Sequence, residues 1–547
     1  MRDIYWSVDT LVIRDSAVFG FGWVFHIAQE VVEIHLRLTI DGDDSLSPVY
    51  LTADIGKLRQ DVELNFSTQP HTRNSGYVFY GAFPVGRRVA SIELLCTLKD
   101  GSILDFKVPE SNIMRFSDDK NGTNNRRFLR QFYVFLKRGL TLLRAGKYNS
   151  LSSKVRRYIG GRPSRVLRDP ADFSEFLAEH ERKNLTVIVD HDLGGGANHY
   201  RERMVASIIQ QGRSVVILTF HVVTLSHVLV LRNARVNHRF AIPSKEFFLV
   251  AVRDLSVSEI IYNTGVSFLQ PEELAPLLIS LKQITSAQLN ILLHDYFVVC
   301  PSHNLINHEG NYCEVPNIDV CSGCILKNKQ GFATLFVGQD MHKWRAIWGS
   351  LLNACDEIVT FSNNSTEILT KAYPELDPFK ISVIPHNILH LKGSSPQIKN
   401  TSCLRIGIVG QIGFHKGSRF VKALGEEIKR RKLSVKIVII GTIEADCDST
   451  IVSETGAYEY SNLSALIQDS GANVMLFPSI WPETFSYVVH ELIAFNLPVA
   501  SFNFGAPSAR LASYSNGLVL NSTNPEKVLD ELISFHRALY LPLRHLC

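Results

Sequence analysis

The alternation of hydrophobic and polar residues divides the chain into a β-rich first part and a longer α/β part. From residue 1 to about 116, short alternating runs such as VEIHLRLTI, GYVFYGAF and SIELLCTL are separated by the turn-forming strings DGDD and KDG. This pattern predicts a small antiparallel β-sandwich at 1–116. No catalytic constellation is visible in it.

Further along, buried strand candidates alternate with amphipathic helices. The first series includes NLTVIVDHDL, RSVVILTF, SEIIYNTG, LNILLHDYF, CDEIVTFS and KISVIPH, with the helix NHYRERMVASIIQQG after the first strand. A second series begins near residue 402 with LRIGIVG, SRFVKALGEEIKRR, VKIVIIG, ANVMLFPS and LPVASFN. Two doubly wound halves predict two parallel-sheet domains facing a cleft, at 181–395 and 396–547, with ligands at the carboxyl ends of the strands.

Residues 117–180 connect the two parts and are predicted to form a basic helical linker. Phe128, Phe132, Phe135 and Leu136 fall at helical spacing among basic residues. These basic residues are Arg126, Arg127, Arg130, Lys137, Arg138, Arg144, Lys147, Lys154, Arg156 and Arg157. Such a helix packs its apolar stripe on the next domain or lies on an anionic membrane surface, and both can hold at once.

Composition excludes several classes of protein. With 547 residues, 45% of them hydrophobic and 20% charged, we expect an ordinary globular protein of about three or four domains. A net charge of +4 is too small to indicate a nucleic-acid partner. The start, MRDIYWSVDT, has no apolar core of a secretory signal, and nine cysteines are too few for a disulfide scaffold. We therefore expect a cytoplasmic protein, or one docked through 126–157 on the inner face of the cytoplasmic membrane.

The stretch IGIVGQIGFHKGSRF (406–420) is predicted to be a strand, a glycine-bearing loop and a helix. Gly407, Gly410 and Gly413 do not have the GxGxxG spacing of a dinucleotide-binding loop. Lys416 and Gly417 stand where the helix opens, and a helix N-terminus beside a lysine is a natural diphosphate site. The alternative is a solvated lysine in a turn.

Two carboxylates stand out in the apolar stretch FPSIWPETFSYVVHELIAF (477–495), because burying an unpaired charge is costly. A helix is predicted to begin at Trp481 and Pro482, which places Glu483 and Glu491 about two turns, or roughly 12 Å, apart. That span fits the two ends of a nucleotide sugar, with the diphosphate on N–H groups near the helix start. The alternative is a capping glutamate followed by one on a solvated face.

These motifs carry a resemblance to a known family. The E-x7-E spacing in PETFSYVVHE, preceded by FPS and followed by LPVASFNFGAP, resembles the signature of retaining glycosyltransferases of family 4, which have the GT-B fold. The wider string is similar to a bacterial branch that builds surface polysaccharides of the O-antigen or capsule type. The resemblance covers roughly 185–535. The loop GQIGFHKG at 410–417 departs from the family pattern, because Gln411 stands where arginine is usual.

The resemblance implies metal-independent transfer of a sugar from a nucleotide-sugar donor to a glycan or lipid-linked glycan acceptor. It implies catalytic roles for Glu483 and His294. The implied donor-binding residues are Gln411, Gly413, Lys416, Gly417, Tyr458, Thr484, Phe485, Ser486 and Glu491, with Tyr460 beside Tyr458 near the base. The implied acceptor and cleft residues are Gly195, Gly196, Asn198 and Asp295.

Two further strings allow alternatives. Asp190-His191-Asp192 also matches the D-x-D metal motif of the other common glycosyltransferase fold, an interpretation that the following GGG loop and helix argue against. Four cysteines in the loop 300–324 end in C-x2-C, which suits a structural zinc site but equally suits free thiols or an occasional disulfide. These are Cys300, Cys313, Cys321 and Cys324.

Two other functions stay open at this point. A nucleotide-sugar epimerase on the same fold needs no acceptor, and Gln411 gives some support to a non-catalytic glycan-binding or scaffold protein. The β-rich part is similar to accessory domains of such enzymes through R-x-D-V (Arg59, Asp61, Val62) and N-S-G-Y (Asn74 to Tyr77). Its role is a spacer, a glycan-binding module or a docking surface.

Overall fold

The computed structural model describes most of the chain in several stretches. These are residues 3–14, 16–41, 48–83, 87–116, 167–168, 184–222, 225–242, 245–253, 255–328, 340–386, 395–398 and 402–540. The predicted basic helical linker therefore lies outside the described residues, apart from 167–168. Within the described stretches, no helix combines the length and the hydropathy needed to cross a membrane.

The first part of the chain is all-β and consists of two sheets packed face to face. The strands are β1 (Ile4–Arg14), β2 (Ala17–His26), β3 (Val31–Ile40), β4 (Val49–Thr52), β5 (Asp54–Lys57), β6 (Gly76–Ala82), β7 (Val89–Leu98), β8 (Ile103–Lys107) and β9 (Ile113–Phe116), with the short helix α1 (Gln60–Asn65) after β5. Their orders are β5-β6-β2-β1-β9 and β4-β3-β7-β8. Alternate residues such as Leu11, Leu36, Phe79 and Leu94 fill the shared core. Pairing is antiparallel except between β1 and β9, which are parallel.

The first α/β domain is built on a nine-stranded sheet. Its strands are β10 (Leu167–Arg168), β11 (Leu185–Val189), β12 (Ser214–His221), β13 (Ser226–Arg232), β14 (Asn237–Ile242), β15 (Val257–Tyr262), β16 (Gln288–Leu292), β17 (Glu357–Thr360) and β18 (Ile381–Val383), in the order β10-β14-β13-β12-β11-β15-β16-β17-β18. Its helices are α2 (Gly196–Gln210), α3 (Lys245–Val252), α4 (Leu274–Thr285), α5 (Ile318–Ile325), α6 (Met341–Ala354) and α7 (Asn363–Ala372).

One feature of this sheet departs from the predicted all-parallel arrangement. Strand β13 runs antiparallel to both β12 and β14. No strand was predicted at 226–232. A chain that turns back directly after β12 pairs as a hairpin, whereas parallel neighbours need a long crossover.

The second α/β domain has a six-stranded sheet in which every pair is parallel. Its strands are β19 (Arg405–Ile412), β20 (Lys436–Ile443), β21 (Val452–Glu454), β22 (Val474–Phe477), β23 (Val499–Phe502) and β24 (Gly517–Leu520). Its helices are α8 (Ser418–Arg430), α9 (Leu463–Ser470), α10 (Tyr487–Ala494), α11 (Gly505–Ala512) and α12 (Pro525–Tyr540). The order β21-β20-β19-β22-β23-β24 is that of a Rossmann sheet.

The two α/β domains face each other in the GT-B arrangement, as predicted. The Thr484 hydroxyl of the second domain donates to the carbonyl oxygen of His294 in the first at 2.9 Å. The Nδ1 atom of His386 lies 2.7 Å from the Tyr487 hydroxyl. Residues that follow strand ends in the two sheets therefore meet in the same cleft.

Candidate functional site

The topology of the second α/β domain selects one place for a ligand. The strand order reverses between β19 and β22, so the crevice beyond their carboxyl ends is the topological switch point. Two loops border that crevice. The loop after β19 contains Gly413–Gly417, called here the Lys416 loop, and the loop after β22 contains Glu483. The two motifs singled out in the sequence thus share one edge of the sheet.

The Lys416 loop is shaped by its glycines. Residues Phe414–Lys416 form a single 3-10 turn, and helix α8 begins directly after Gly417. Gly417 has φ 86°, and a Cβ there would lie 2.1 Å from the carbonyl oxygen of Pro478. Only glycine permits this backbone and this approach to the end of β22. Gln411 is exposed and lies one residue before the end of β19.

The predicted start of the glutamate helix is wrong. Helix α10 begins at Tyr487, and its N-cap is Ser486, whose hydroxyl accepts from the N–H of Val489. Residues up to Ser486 form a loop because the Glu483 N–H bonds to Trp481 and the Glu483 carbonyl accepts from Ala506 at 2.9 Å. The two glutamates therefore do not share one helix, and the 12 Å helical spacing does not apply.

Glu483 is a buried carboxylate close to a cation. Its side chain is 8% exposed, and Oε1 accepts a hydrogen bond from the Ser479 hydroxyl at 3.0 Å. Burial raises the pKa of Glu483, and the charge of Lys416 opposes that rise. The charge of Lys416 therefore favours the ionised form of the buried Glu483 carboxylate.

Glu491 is buried without a partner. It is 9% exposed, and within the described residues neither a hydrogen bond nor a charged partner acts on its carboxylate. Burial alone raises its pKa to about 7. Tyr458 lies near enough that the Glu491 charge adds to the effect of burial in raising the tyrosine pKa to about 12, and Tyr460 is affected in the same way. A largely buried carboxylate that no protein group pairs, with its pKa raised this far, is a candidate ligand-binding group.

The loop before α10 also offers backbone donors. In the described part of the chain, the N–H groups of Thr484, Phe485 and Ser486 make no hydrogen bond. They precede the N-terminus of α10, where the helix dipole favours negative charge. Free N–H groups at such a place suit a phosphate.

On the first domain, the glycine-rich loop after β11 is held by its own chain. The Nδ2 atom of Asn198 donates to Asp190 at 3.0 Å, and its Oδ1 accepts from the Gly194 N–H at 2.6 Å. Arg201 donates to the same Asp190 carboxylate at 2.8 Å. Asn198, a predicted cleft residue, is therefore buried and positions the loop.

The two remaining glycines of this loop serve different needs. Gly195 has φ 87° and nothing within 4 Å of a Cβ, so backbone conformation requires it. A Cβ on Gly196 would lie 3.6 Å from the Tyr487 ring of the second domain. Both carboxylates of the D-x-D string are paired with arginines, Asp190 with Arg201 and Asp192 with Arg239 at 2.7 Å.

His294 occupies the cleft wall of the first domain, after β16. Its ring packs against Phe361 at 4.5 Å and Tyr200 at 4.9 Å between centroids. Burial lowers its pKa well below the usual value, so the ring is neutral, and its Nε2 atom is buried without a partner. Asp295 does not orient this ring, because its carboxylate accepts from the Thr264 hydroxyl at 2.6 Å and from the Phe297 N–H at 2.9 Å.

His386, after β18, is a cleft residue that the sequence analysis missed. Its ring stacks on Phe485 at 4.2 Å and contacts the Tyr487 hydroxyl through Nδ1. Its Nε2 atom is buried without a partner, and burial lowers its pKa to about 3. Arg203 also bonds to the Tyr487 hydroxyl and lies 5.0 Å from the ring centroid. The signal was present, since KISVIPH places a histidine at the carboxyl end of a predicted parallel strand.

The cysteine-rich loop does not support the zinc hypothesis. Across the described residues, no group of three or more histidine, cysteine or acidic side chains is arranged to hold a metal ion. Cys321 contacts the carbonyl of Pro316 through sulfur, and Cys300, Cys313, Cys321 and Cys324 are free cysteines. Burial raises the thiol pKa of Cys300 to about 12 and that of Cys313 to about 11.

One known protein family matches the second α/β domain. The family model described as glycosyl transferases group 1 matches residues 396–538. That segment contains the six-stranded sheet, the Lys416 loop and both glutamates. The match indicates a glycosyltransferase. No curated protein matches the chain significantly.

Solved structures with a similar fold include several glycosyltransferases. Anabaena HepE in complex with UDP and glucose is 13% identical, with 64% of this chain and 89% of that chain covered and a TM-score of 0.40. A glycosyltransferase from Rickettsia africae is 12% identical, with 64% and 88% covered and a TM-score of 0.39. WaaG, a glycosyltransferase involved in lipopolysaccharide biosynthesis, is 12% identical, with 66% and 96% covered and a TM-score of 0.38.

Proposed function

We propose that this chain is a retaining glycosyltransferase that moves a sugar from a nucleotide-sugar donor to a glycan or lipid-linked glycan acceptor. The observation that carries the proposal is the switch point of the second α/β domain. There the Lys416 loop, the buried Glu483 and the partnerless Glu491 lie at one sheet edge, within the segment that matches the glycosyltransferase family.

In this proposal the donor spans the loops after β19 and β22. The Glu491 carboxylate accepts hydrogen bonds from the ribose hydroxyls, which are the donors that it lacks in the unliganded protein. The diphosphate lies on Gly413, Lys416 and Gly417 and on the N–H groups of Thr484, Phe485 and Ser486. Tyr458 and Tyr460, whose pKa values are raised by the Glu491 charge, lie near the base of the nucleotide in this arrangement. Gln411 adds an uncharged donor at the edge of the loop.

The chemical step follows from where charge develops. The bond between the anomeric carbon and the phosphate oxygen breaks, and Lys416 with the loop N–H groups stabilises the negative charge on the leaving diphosphate. The acceptor hydroxyl attacks from the same face, and the leaving phosphate oxygen takes its proton. Glu483 accepts hydrogen bonds from the transferred sugar. Because fixed cationic and N–H groups stabilise the negative charge of the leaving diphosphate, the proposed mechanism needs no metal ion.

The first domain is proposed to provide the acceptor side of the cleft. His294 and His386 are neutral and each has a buried Nε2 atom without a partner, so each can bond a sugar hydroxyl. Contacts between the domains exclude water and limit donor hydrolysis. The bacterial polysaccharide setting and the lipid-linked acceptor both rest on the sequence resemblance, and the basic composition of residues 126–157 fits that setting.

A thermal-shift panel with UDP, GDP, dTDP, CDP and ADP tests the proposal. A ligand at about 100 times its Kd stabilises the native state by about 2.7 kcal/mol. We expect one nucleotide to raise the Tm of the wild type and of Glu426→Gln, an exposed control on α8, and to raise the Tm of Glu491→Ala much less. No shift with any nucleotide would contradict the proposal.

Product analysis with the matching nucleotide sugar then separates the enzyme classes. A transferase forms a new glycosidic bond only when an acceptor is present, and NMR of the product shows the donor's anomeric configuration retained. Conversion of the nucleotide sugar to an isomer without acceptor would instead identify an epimerase.

A further inference from the structure

The N-terminal β domain reaches the second α/β domain through two ion pairs. The Nζ atom of Lys57 lies 2.9 Å from Oε1 of Glu444. Arg73 contacts Oε1 of Glu454 at 2.5 Å. Glu444 follows the end of β20 beside Gly413 of the Lys416 loop, and Glu454 is the last residue of β21. The β domain therefore touches the proposed donor-binding edge.

The two strings noted in the β-rich part build this contact face. Arg59 of R-x-D-V pairs with Asp61 at 2.7 Å and with Asp9 at 2.9 Å, and its N–H donates to the carbonyl of Arg73 at 2.7 Å. Gly76 of N-S-G-Y pairs with Lys57 across β5 and β6, where a Cβ would lie 2.6 Å from the Lys57 carbonyl oxygen. The strings thus fix Lys57 and Arg73 on one face.

Apolar packing anchors the β domain on the other side of the cleft. Val12, Ala17, Phe19 and Tyr80 belong to the core of the first α/β domain. The Tyr80 hydroxyl donates to the carbonyl of Ser267 at 3.0 Å. Lys57 is consequently presented from a domain that is fixed to the opposite side of the cleft.

Glu444 is an unexpected neighbour for a phosphate-binding loop. Its N–H donates to the carbonyl of Ile412 at 3.0 Å, and a Cβ on Gly413 would lie 3.2 Å from its Oε2 atom. A carboxylate at this position repels a diphosphate on the loop unless a cation neutralises it. Lys57 is the cation that contacts Glu444. Lys57 also pairs with Asp54 at 2.8 Å, and the Asp54 side chain is mostly exposed.

The charge of Lys57 is also felt inside the loop. Burial lowers the pKa of His415 to about 4, and Lys416 and then Lys57 add to that effect. Burial opposes the charged form of Lys57 itself, but the carboxylates of Asp54 and Glu444 raise its pKa. Lys57 is therefore charged beside the loop under all physiological conditions.

We propose that Lys57 of the β domain is a positioning residue of the donor site, which neutralises Glu444 beside the Lys416 loop and so permits a nucleoside diphosphate to bind. The β domain is then a working part of the donor site. This inference rests on the proposed function, since it concerns the same diphosphate.

Titration calorimetry of the full chain tests the inference with the nucleoside diphosphate found in the panel and with its nucleoside. We expect Lys57→Gln to weaken diphosphate binding by about 5- to 30-fold, the effect of one uncompensated charge near a protein surface, and to leave nucleoside binding unchanged. Lys107→Gln, an exposed lysine on β8 of the same domain, is the matched control.

Removing the repelling carboxylate supplies the second variant. The double variant Lys57→Gln/Glu444→Gln is expected to recover binding to within about threefold of the wild type, because the uncompensated charge is gone. A packing role for Lys57 would not be rescued in this way, so equal weakness of the single and double variants would overturn the inference. Equal affinities of Lys57→Gln and Lys107→Gln would overturn it too, while leaving the proposed function standing. A wild type that binds no nucleotide would overturn both.

Discussion

The two α/β domains place polar side chains at equivalent sheet edges, but they use them in opposite ways. After β11, Asp190, Asn198 and Arg201 bond to one another and to the loop backbone. After β22, Glu483 has one hydroxyl partner and Glu491 has none in the described part of the chain. The loop after β11 is therefore satisfied by the protein itself, whereas the carboxylates after β22 have few protein donors or none, and we propose that a ligand supplies them.

This difference distinguishes polar residues whose partners are within the protein from those that we propose to bind a substrate. Burial by itself does not distinguish them, since Asp190 is 0% exposed and Glu491 is 9% exposed. The distinction lies in the partners. Removing a satisfied buried carboxylate leaves its partners unpaired and lowers stability, whereas removing an unpaired one such as Glu491 removes only the cost of desolvating its charge.

The largest expected effect concerns the satisfied edge. Asp190→Ala leaves the buried Arg201 without its carboxylate and should lower the free energy of unfolding by about 3–5 kcal/mol. Urea unfolding measures this, with Glu367→Ala, an exposed site on α7 of the same domain, as control. A loss below about 1 kcal/mol would show that the network is not structural.

The second expected effect concerns the unsatisfied edge. Glu491→Gln should weaken nucleotide binding by about 10- to 100-fold, because hydrogen bonds to a charged acceptor contribute about 1.5–3 kcal/mol. The unliganded variant should be at least as stable as the wild type, since a buried charge is removed. Calorimetry and urea unfolding measure the two quantities. If Glu491→Gln lost stability but bound the nucleotide as tightly as the wild type, Glu491 would be a structural residue and not a ligand-binding one.

A smaller effect is expected in the pH dependence of unliganded stability. Burial raises the pKa of Glu491 from 4.5 to about 7, so its contribution to stability is present below the unfolded value and is lost as pH rises through about 7. Between pH 6 and 8 the wild type should lose about 1 kcal/mol relative to Glu491→Gln. Parallel stability curves for the two proteins would show that the carboxylate is not held in this environment.

The smallest expected effect concerns the cysteine-rich loop. Cys324→Ser should change the free energy of unfolding by less than about 0.5 kcal/mol, and a chelator should leave the Tm unchanged, because the thiols are not arranged as metal ligands. Thermal unfolding with and without chelator, together with metal analysis, measures this. A large fall in Tm with chelator would restore the zinc hypothesis.

Much of the fold could be predicted from local pattern. Strand ends identified the Lys416 loop, Glu483, Glu491 and His294, because parallel strands bring their carboxyl ends to one edge. The helix start was misplaced because Pro482 is a strong N-terminal signal, although Ser486 is an equally good cap.

What could not be predicted depends on distant pairing. Lys57 and Glu444 are 387 residues apart, and no local periodicity relates them. Likewise, the side-chain rotamer of Asn198 in the folded chain decides whether it contacts a ligand or Asp190. The sequence motif indicates only that Asn198 lies near the cleft. The functional assignment of R-x-D-V and N-S-G-Y therefore required the packed domains.

The most direct test of the central claim is proton release on nucleotide binding. Titration calorimetry at pH 6.5, in two buffers of different ionisation enthalpy, counts the protons that binding displaces. If ribose hydroxyls donate to Glu491, binding favours the carboxylate, and the wild type should release about 0.7 proton more than Glu491→Gln. Equal proton release from the two proteins would contradict the account, because the partnerless carboxylate would then not be the group that receives the donor.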